Sequence, residues 1–335
     1  MLGFKVTNIF ASVSRSSRLR GTPNEPEAPK TTTPPPSLRP SRSSETSMPP
    51  KVPALQSSPS LAESIGMAAT SDDGPNFHFP QPLPLWLSPI SAKHIVKGNF
   101  MTLSTRPKMV EDADWIAHQV VEHYRLLWNF VRVVFEKEQD DSTICNATTC
   151  PTMSAGKNHS YTWLNSRVEP TELPAHEYIS LMQRWISGKI DNTTIFPTDP
   201  FSVSYAPNPA FVQDILGQVA GADGWIGKRS GFPEDFSRIC GTIFLQMFRV
   251  YSHLYWNHFV EPFYHLNLEK QLNSCFSHFV MTATALDMLK PNHLEPMQFL
   301  IDLWAANGTF PPESKVYSYA NLKRGTYLMQ LGDGR

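Results

Sequence analysis

Two cysteines and two histidines have the residue types and spacing best suited to chemistry in this chain. Cys145 and Cys150 stand in Cys-Asn-Ala-Thr-Thr-Cys, and His253 and His258 follow about a hundred residues later in His-Leu-Tyr-Trp-Asn-His. Together they make a Cys2His2 ligand set at spacings used by structural zinc. Four protein ligands fill a tetrahedral Zn2+ and leave no position for water or substrate, so the chemistry would be cross-linking rather than catalysis. In a chain with 11 His the same spacing also arises by chance, and spacing alone leaves the metal open.

The histidines set a condition on their helix. Residues five apart on an ideal helix point about 140° apart, so both reach one ion only if the helix is distorted between or beside them. Pro262, four residues after His258, would clash with the carbonyl of residue 258 and predicts a kink, bulge or helix end there.

Two other chemistries fit these residues less well. A zinc-dependent hydrolase with Glu177 as base needs an open coordination position, and the chain has no His-Glu-x-x-His pattern. A nucleic-acid-binding zinc module would show a basic stripe in the folded region and ligand pairs closer together.

Helices carry or flank the four candidate ligands. Ile116, Val120, Tyr124, Leu127, Val131 and Val134 recur on one stripe and predict a helix over about 112–138, with acidic residues at its start. The punctuated stretch 139–174 reads as an irregular loop holding the cysteines. Further helices are expected from Tyr178 to about Gly188, from about Pro233 to the histidine pair, over about 269–288 and over about 294–304. Strand alternation is weak, so the expected fold class is all-α: a helix bundle whose long loop is stapled by metal to one helix.

Composition limits the rest. Thirty Pro are concentrated toward the N-terminus, and residues 22–84 are rich in Pro, Ser and Thr, a composition that buries too little apolar surface to offset ordering entropy. Residues 1–84 are therefore expected to be a disordered tail, in which Thr33 and Ser58 precede proline as candidate phosphorylation sites. The basic, acid-free start, Met1–Gly21, fits a transit peptide or a short anchor, although an unstructured basic arm is the simpler reading. Lys and Arg number 29 against 30 Asp and Glu, so no global charge draws the chain to nucleic acid or anionic membrane, and no apolar run approaches a bilayer span. Cys240 and Cys275 read as small core residues in a reducing compartment, and the four Asn-x-Ser/Thr sequons, with no secretory signal, as chance matches.

Longer blocks are more specific than composition. Cys150-Pro151-Thr152-Met153-Ser154-Ala155-Gly156 with Tyr161-Thr162-Trp163 resembles the signature of the Mob (Mob/phocein) family of kinase activators. Leu173-Pro174-Ala175 with Tyr178, Ile179 and Trp185, the run from Met247 to Phe259, and Leu272-Asn273-Ser274 with His278-Phe279 agree, in order, over about residues 93–304. The resemblance implies an α-helical bundle with structural zinc on Cys145, Cys150, His253 and His258, no catalytic activity, and binding to the N-terminal regulatory segment of an NDR/LATS-class AGC protein kinase. The tail and the block His94–Phe100 are most similar to the second fungal Mob class, which acts in polarised growth and morphogenesis. That implies a cytoplasmic protein, at the cell cortex or sites of polarised growth, or in the nucleus.

Glu111, Asp112, Asp114 and Glu122 gather on the first long helix, where a basic partner segment could dock or where the acids simply complement the helix dipole. The resemblance implies kinase contacts at Glu111, Asp114, Trp115, Glu122 and His278. It also exposes departures. Of a basic trio that binds phosphopeptides in some members only Arg249 remains, with Leu245 and Gln246 at two of the positions, which weakens any phosphate trap. An insertion is expected over about 199–231, whose spaced glycines lack the strand and the Gly-Lys-Ser/Thr of a phosphate loop, and residues 305–335 extend past the family's usual end with no assigned role.

Overall fold

The computed structural model describes residues 77–96, 100–137, 142–197 and 230–333. Within them lie seven α-helices: α1 (Phe100–Ser104), α2 (Asp112–Val134), α3 (Ala175–Ile190), α4 (Phe236–His258), α5 (Glu269–Ala285), α6 (Gln298–Ala306) and α7 (Leu322–Asp333). A two-residue ribbon interrupts the loop before α3, with β1 (Trp163–Leu164) antiparallel to β2 (Pro170–Thr171). The expected all-α architecture holds for these residues.

The apolar stripe of α2 buries Ile116, Val120, Leu127, Val131 and Val134, and the helix packs on α4 and α5. Each such side chain removed from water contributes about 1.5–3 kcal/mol. The centre of the core is aromatic: Phe276 of α5 lies 5.1 Å from Tyr251 and 5.0 Å from Tyr255 of α4.

Helix ends depart from the expectations for local reasons. α2 stops at Val134 rather than 138 because the Phe135 N–H is shared between the Val131 and Arg132 carbonyls, tightening the last turn ahead of a charged run. α5 stops at Ala285 because Asp287 takes φ 60°, and bonds from Met288 N to Ala283 O and from Asp287 N to Thr284 O close a Schellman motif. Pro291 and Pro296 turn the chain through two short 3-10 segments, so the next helix begins at Gln298 rather than 294.

Both ends of the expected domain need correction. Phe79, placed by composition in the tail, lies parallel to Tyr327 at 5.9 Å and 5.4 Å from Phe299, so the fold begins before residue 85. Residues beyond 304 are part of it. α7 lies along α6, held by a buried pair between Arg324 Nε and Asp302 Oδ2. A Cβ at Gly325 would come within 2.1 Å of the Asp302 carbonyl oxygen, so only glycine allows this approach. The expected tail up to residue 76, with Thr33 and Ser58, and all but residues 230–231 of the expected insertion lie outside the described residues.

Candidate functional site

The loop after α2 brings in the two cysteines. Cys145 N–H donates to Val134 O at 2.9 Å, tying the first ligand to the helix end. Asn146 folds the turn between them: its Oδ1 accepts from Thr148 N and Thr149 N at 2.8 and 3.0 Å, and its Nδ2 donates to Thr143 O at 2.6 Å. Cys150 O then accepts from Ala175 N, the first residue of α3, at 3.0 Å. Farther on, Gly156 at φ 76° lets the loop cross Trp256 of α4, whose Cε3 would lie 2.9 Å from any Cβ there.

α4 brings in the histidines, and its end meets the condition read from their spacing. His258 leaves the helix at φ −127°, ψ 3°, and a π-type turn, Phe259–Tyr264, follows with Glu261 non-helical before Pro262. The His253 and His258 rings consequently meet at 5.2 Å.

All four side chains are buried, and their ligand atoms lie within 4.8 Å of one another. Cys145 Sγ is 3.8 Å from His253 Nε2 and Cys150 Sγ is 3.4 Å from His258 Nε2. A tetrahedral ion with metal–sulfur bonds of about 2.3 Å and metal–nitrogen bonds of about 2.0 Å separates its sulfur and nitrogen ligands by about 3.5 Å. The cluster therefore fits one metal ion. Within the pair, a hydrogen bond from Cys145 pulls the Cys150 thiol well below the ordinary range. The same bond, with burial, pushes Cys145 up, so the pair favours one thiolate.

Spacing could not reveal what orients the ligands. His253 Nδ1 donates to Ser154 O at 2.8 Å, which leaves Nε2 as the lone-pair nitrogen facing the cysteines. Asn257 Nδ2 donates to the same carbonyl at 3.1 Å.

The residues singled out for partner binding lie along α2 and on α5. Glu111 is the N-cap of α2 without a side-chain cap bond, and Asp114 Oδ2 accepts from Ser230 Oγ at 2.9 Å. Trp115 stacks on His118 at 5.5 Å, with its Nε1 buried and unpartnered. Glu122 lies close enough to α5 to add to the burial that raises Cys275 to about 12. His278 is set beneath α1, stacked on Phe100 at 5.8 Å and 4.7 Å from His123, and burial lowers it to about 4.

Arg249 is not an open phosphate trap. It is buried, donates from Nη1 to Tyr178 Oη at 2.8 Å, and lies over the Tyr161 ring at 5.0 Å. Tyr178 in turn donates to Gln246 Oε1 at 2.8 Å, so one of the residues replacing the basic trio is part of the same internal network. Cys240 is buried and Cys275 half-buried within the helices. No helix among the described residues is long and apolar enough to cross a membrane.

The model of the Mob1/phocein family matches residues 92–220 and 225–297, which include all four clustered ligands. The chain belongs to the Mob1/phocein family. Among relatives of this Mob chain, "Maintenance of ploidy protein mob2" of Schizosaccharomyces pombe is 32% identical over 222 residues, 66% of this chain and 76% of that protein. "CBK1 kinase activator protein MOB2" of Candida albicans is 30% identical over 234 residues, covering 69% of this chain and 63% of its own length. The protein of the same name from Saccharomyces cerevisiae is 32% identical over 216 residues, covering 64% and 62%. The chain thus spans less than two thirds of the two budding-yeast relatives. All three carry the Mob2 name, in agreement with the expected second fungal class.

Proposed function

We propose that the chain is a non-catalytic adaptor and co-activator that binds the N-terminal regulatory segment of an NDR/LATS-class protein kinase. The observation that carries this reading is the similarity, over most of the domain, to fungal proteins named as activators of the CBK1 kinase. Glu111, Asp114, Trp115, Glu122 and His278 form the contact surface in this proposal. The carboxylates of α2 steer a basic segment and hydrogen-bond to it, and differential binding shifts the kinase toward its active conformation. The metal is Zn2+, held by Cys145, Cys150, His253 and His258. Its four protein ligands leave no position for a bound water, which removes the ground for a hydrolase. The same proposal places its action in the cytoplasm, at the cortex or sites of polarised growth, or in the nucleus.

The test is binding of the full chain to the basic N-terminal segment of an NDR-class kinase, read by calorimetry. Saturable binding is expected, weakened about tenfold or more, or about 1.4 kcal/mol, by Glu122→Lys or Asp114→Lys with folding intact. Equal binding by both charge-reversed chains would remove this surface from the reading.

A further inference from the structure

A second surface lies where the segment before α1 meets the π-type turn and the start of α5. A cleft of about 460 Å³ opens there, lined by Ile90, Lys93, Tyr264, Glu269 and Lys270 among others. Its apolar members are unusually open: Ile90 is 66% and Tyr264 43% exposed. Ile95, 53% exposed, adjoins it through its N–H to the Lys270 carbonyl at 3.3 Å. Large apolar side chains gathered at a concave surface mark a binding site more often than scattered ones do.

The charges around the cleft are also unsatisfied. Neither Lys93 nor Lys270 has a carboxylate within ion-pair distance among the described residues, whereas His265 on the same rim is paired with Glu261 at 3.3 Å. On the cleft wall Glu269 is only 7% exposed, and its Oε2 is buried without a hydrogen-bond partner.

We infer that this cleft docks an extended segment of a partner protein in which an apolar side chain is flanked by acidic residues. The apolar side chain seats between Ile90 and Tyr264. The flanking carboxylates meet Lys93 and Lys270. Charge complementarity selects this occupant, because a basic segment would face two ammonium groups without a carboxylate partner among the described residues. The inference is independent of the kinase surface, since none of its residues belongs to the proposed kinase contacts.

The test uses the full chain and a fluorescein-labelled decapeptide alternating leucine with aspartate and glutamate, followed by fluorescence anisotropy. Saturable binding is expected, weakened about tenfold or more by Lys93→Glu with Lys270→Glu, and similarly by Ile90→Asp. The remote charge reversal Lys157→Glu should leave it unchanged. These lining side chains are exposed, so unchanged melting temperatures are expected and separate lost docking from lost folding. The inference is overturned by no saturable binding, by equal binding of a peptide with lysine at every acidic position, or by binding insensitive to the double reversal. Equal binding of an all-glutamate peptide would likewise remove the apolar seat.

Discussion

His253 Nδ1 lies 2.8 Å from the carbonyl oxygen of Ser154, so the loop that supplies the cysteines also sets the tautomer of the histidine it is stapled to. Loop and helix are therefore tied together at the cluster itself. Cys145→Ser or His258→Ala is expected to lose one bound zinc per chain and to speed amide exchange across residues 142–174. With ion at about 1,000 times its Kd, binding contributes about 4 kcal/mol. At about 2–4 °C per kcal/mol for a domain of this size, the loss of Tm is roughly 10 °C, measurable by calorimetry with and without chelator.

Asn257 shares the Ser154 carbonyl with His253. Asn257→Ala is expected to weaken zinc affinity about tenfold without removing a ligand, read by competition with a chromogenic chelator.

Three histidines around α1 predict acid sensitivity. Burial lowers His94 and His278 to about 4 and His123 well below 6.5. Each is neutral when folded and binds a proton when unfolded between its folded pKa and 6.5, so the unfolded state gains protons there. Stability is full above about pH 6.5 and falls as pH drops toward 4, by about 1.4 kcal/mol per unit for each group at most. Urea midpoints from pH 7.5 to 4.5 should show this fall, and His278→Phe should reduce its slope.

The C-terminal helix depends on one buried pair. Breaking it by Asp302→Ala leaves Arg324 uncompensated, at a cost of about 3–5 kcal/mol. Gly325→Ala forces α6 and α7 apart and should cost at least about 1–3 kcal/mol. Denaturant midpoints and protease cleavage near residue 320 would report both.

Arg249 is expected to act in stability rather than in phosphate recognition. Arg249→Ala should cost about 1–3 kcal/mol by leaving the Tyr178 network incomplete. The unmodified chain should show no saturable binding of a phosphothreonine peptide by anisotropy.

The candidate Cys2His2 set, the helical class and the family resemblance were legible in the sequence, because each is written in local pattern. Two ligand pairs at fixed spacing, a 3.6-residue stripe through Val120 and Val131, and the block from Cys150 to Gly156 need no long-range contact to be read. Even the break at His258 was legible, since a proline acts on the carbonyl four residues before it. What depends on distant chain meeting in space emerged only in the folded molecule. It set Ser154 against His253 and enclosed Arg249 with Tyr178. Glu269 was set beside two lysines that have no carboxylate partner among the described residues, and Phe79 was drawn from a proline-rich stretch onto Tyr327. Propensity and spacing act over a few residues, whereas burial, hydrogen-bond satisfaction and charge pairing belong to surfaces brought together only when the chain packs.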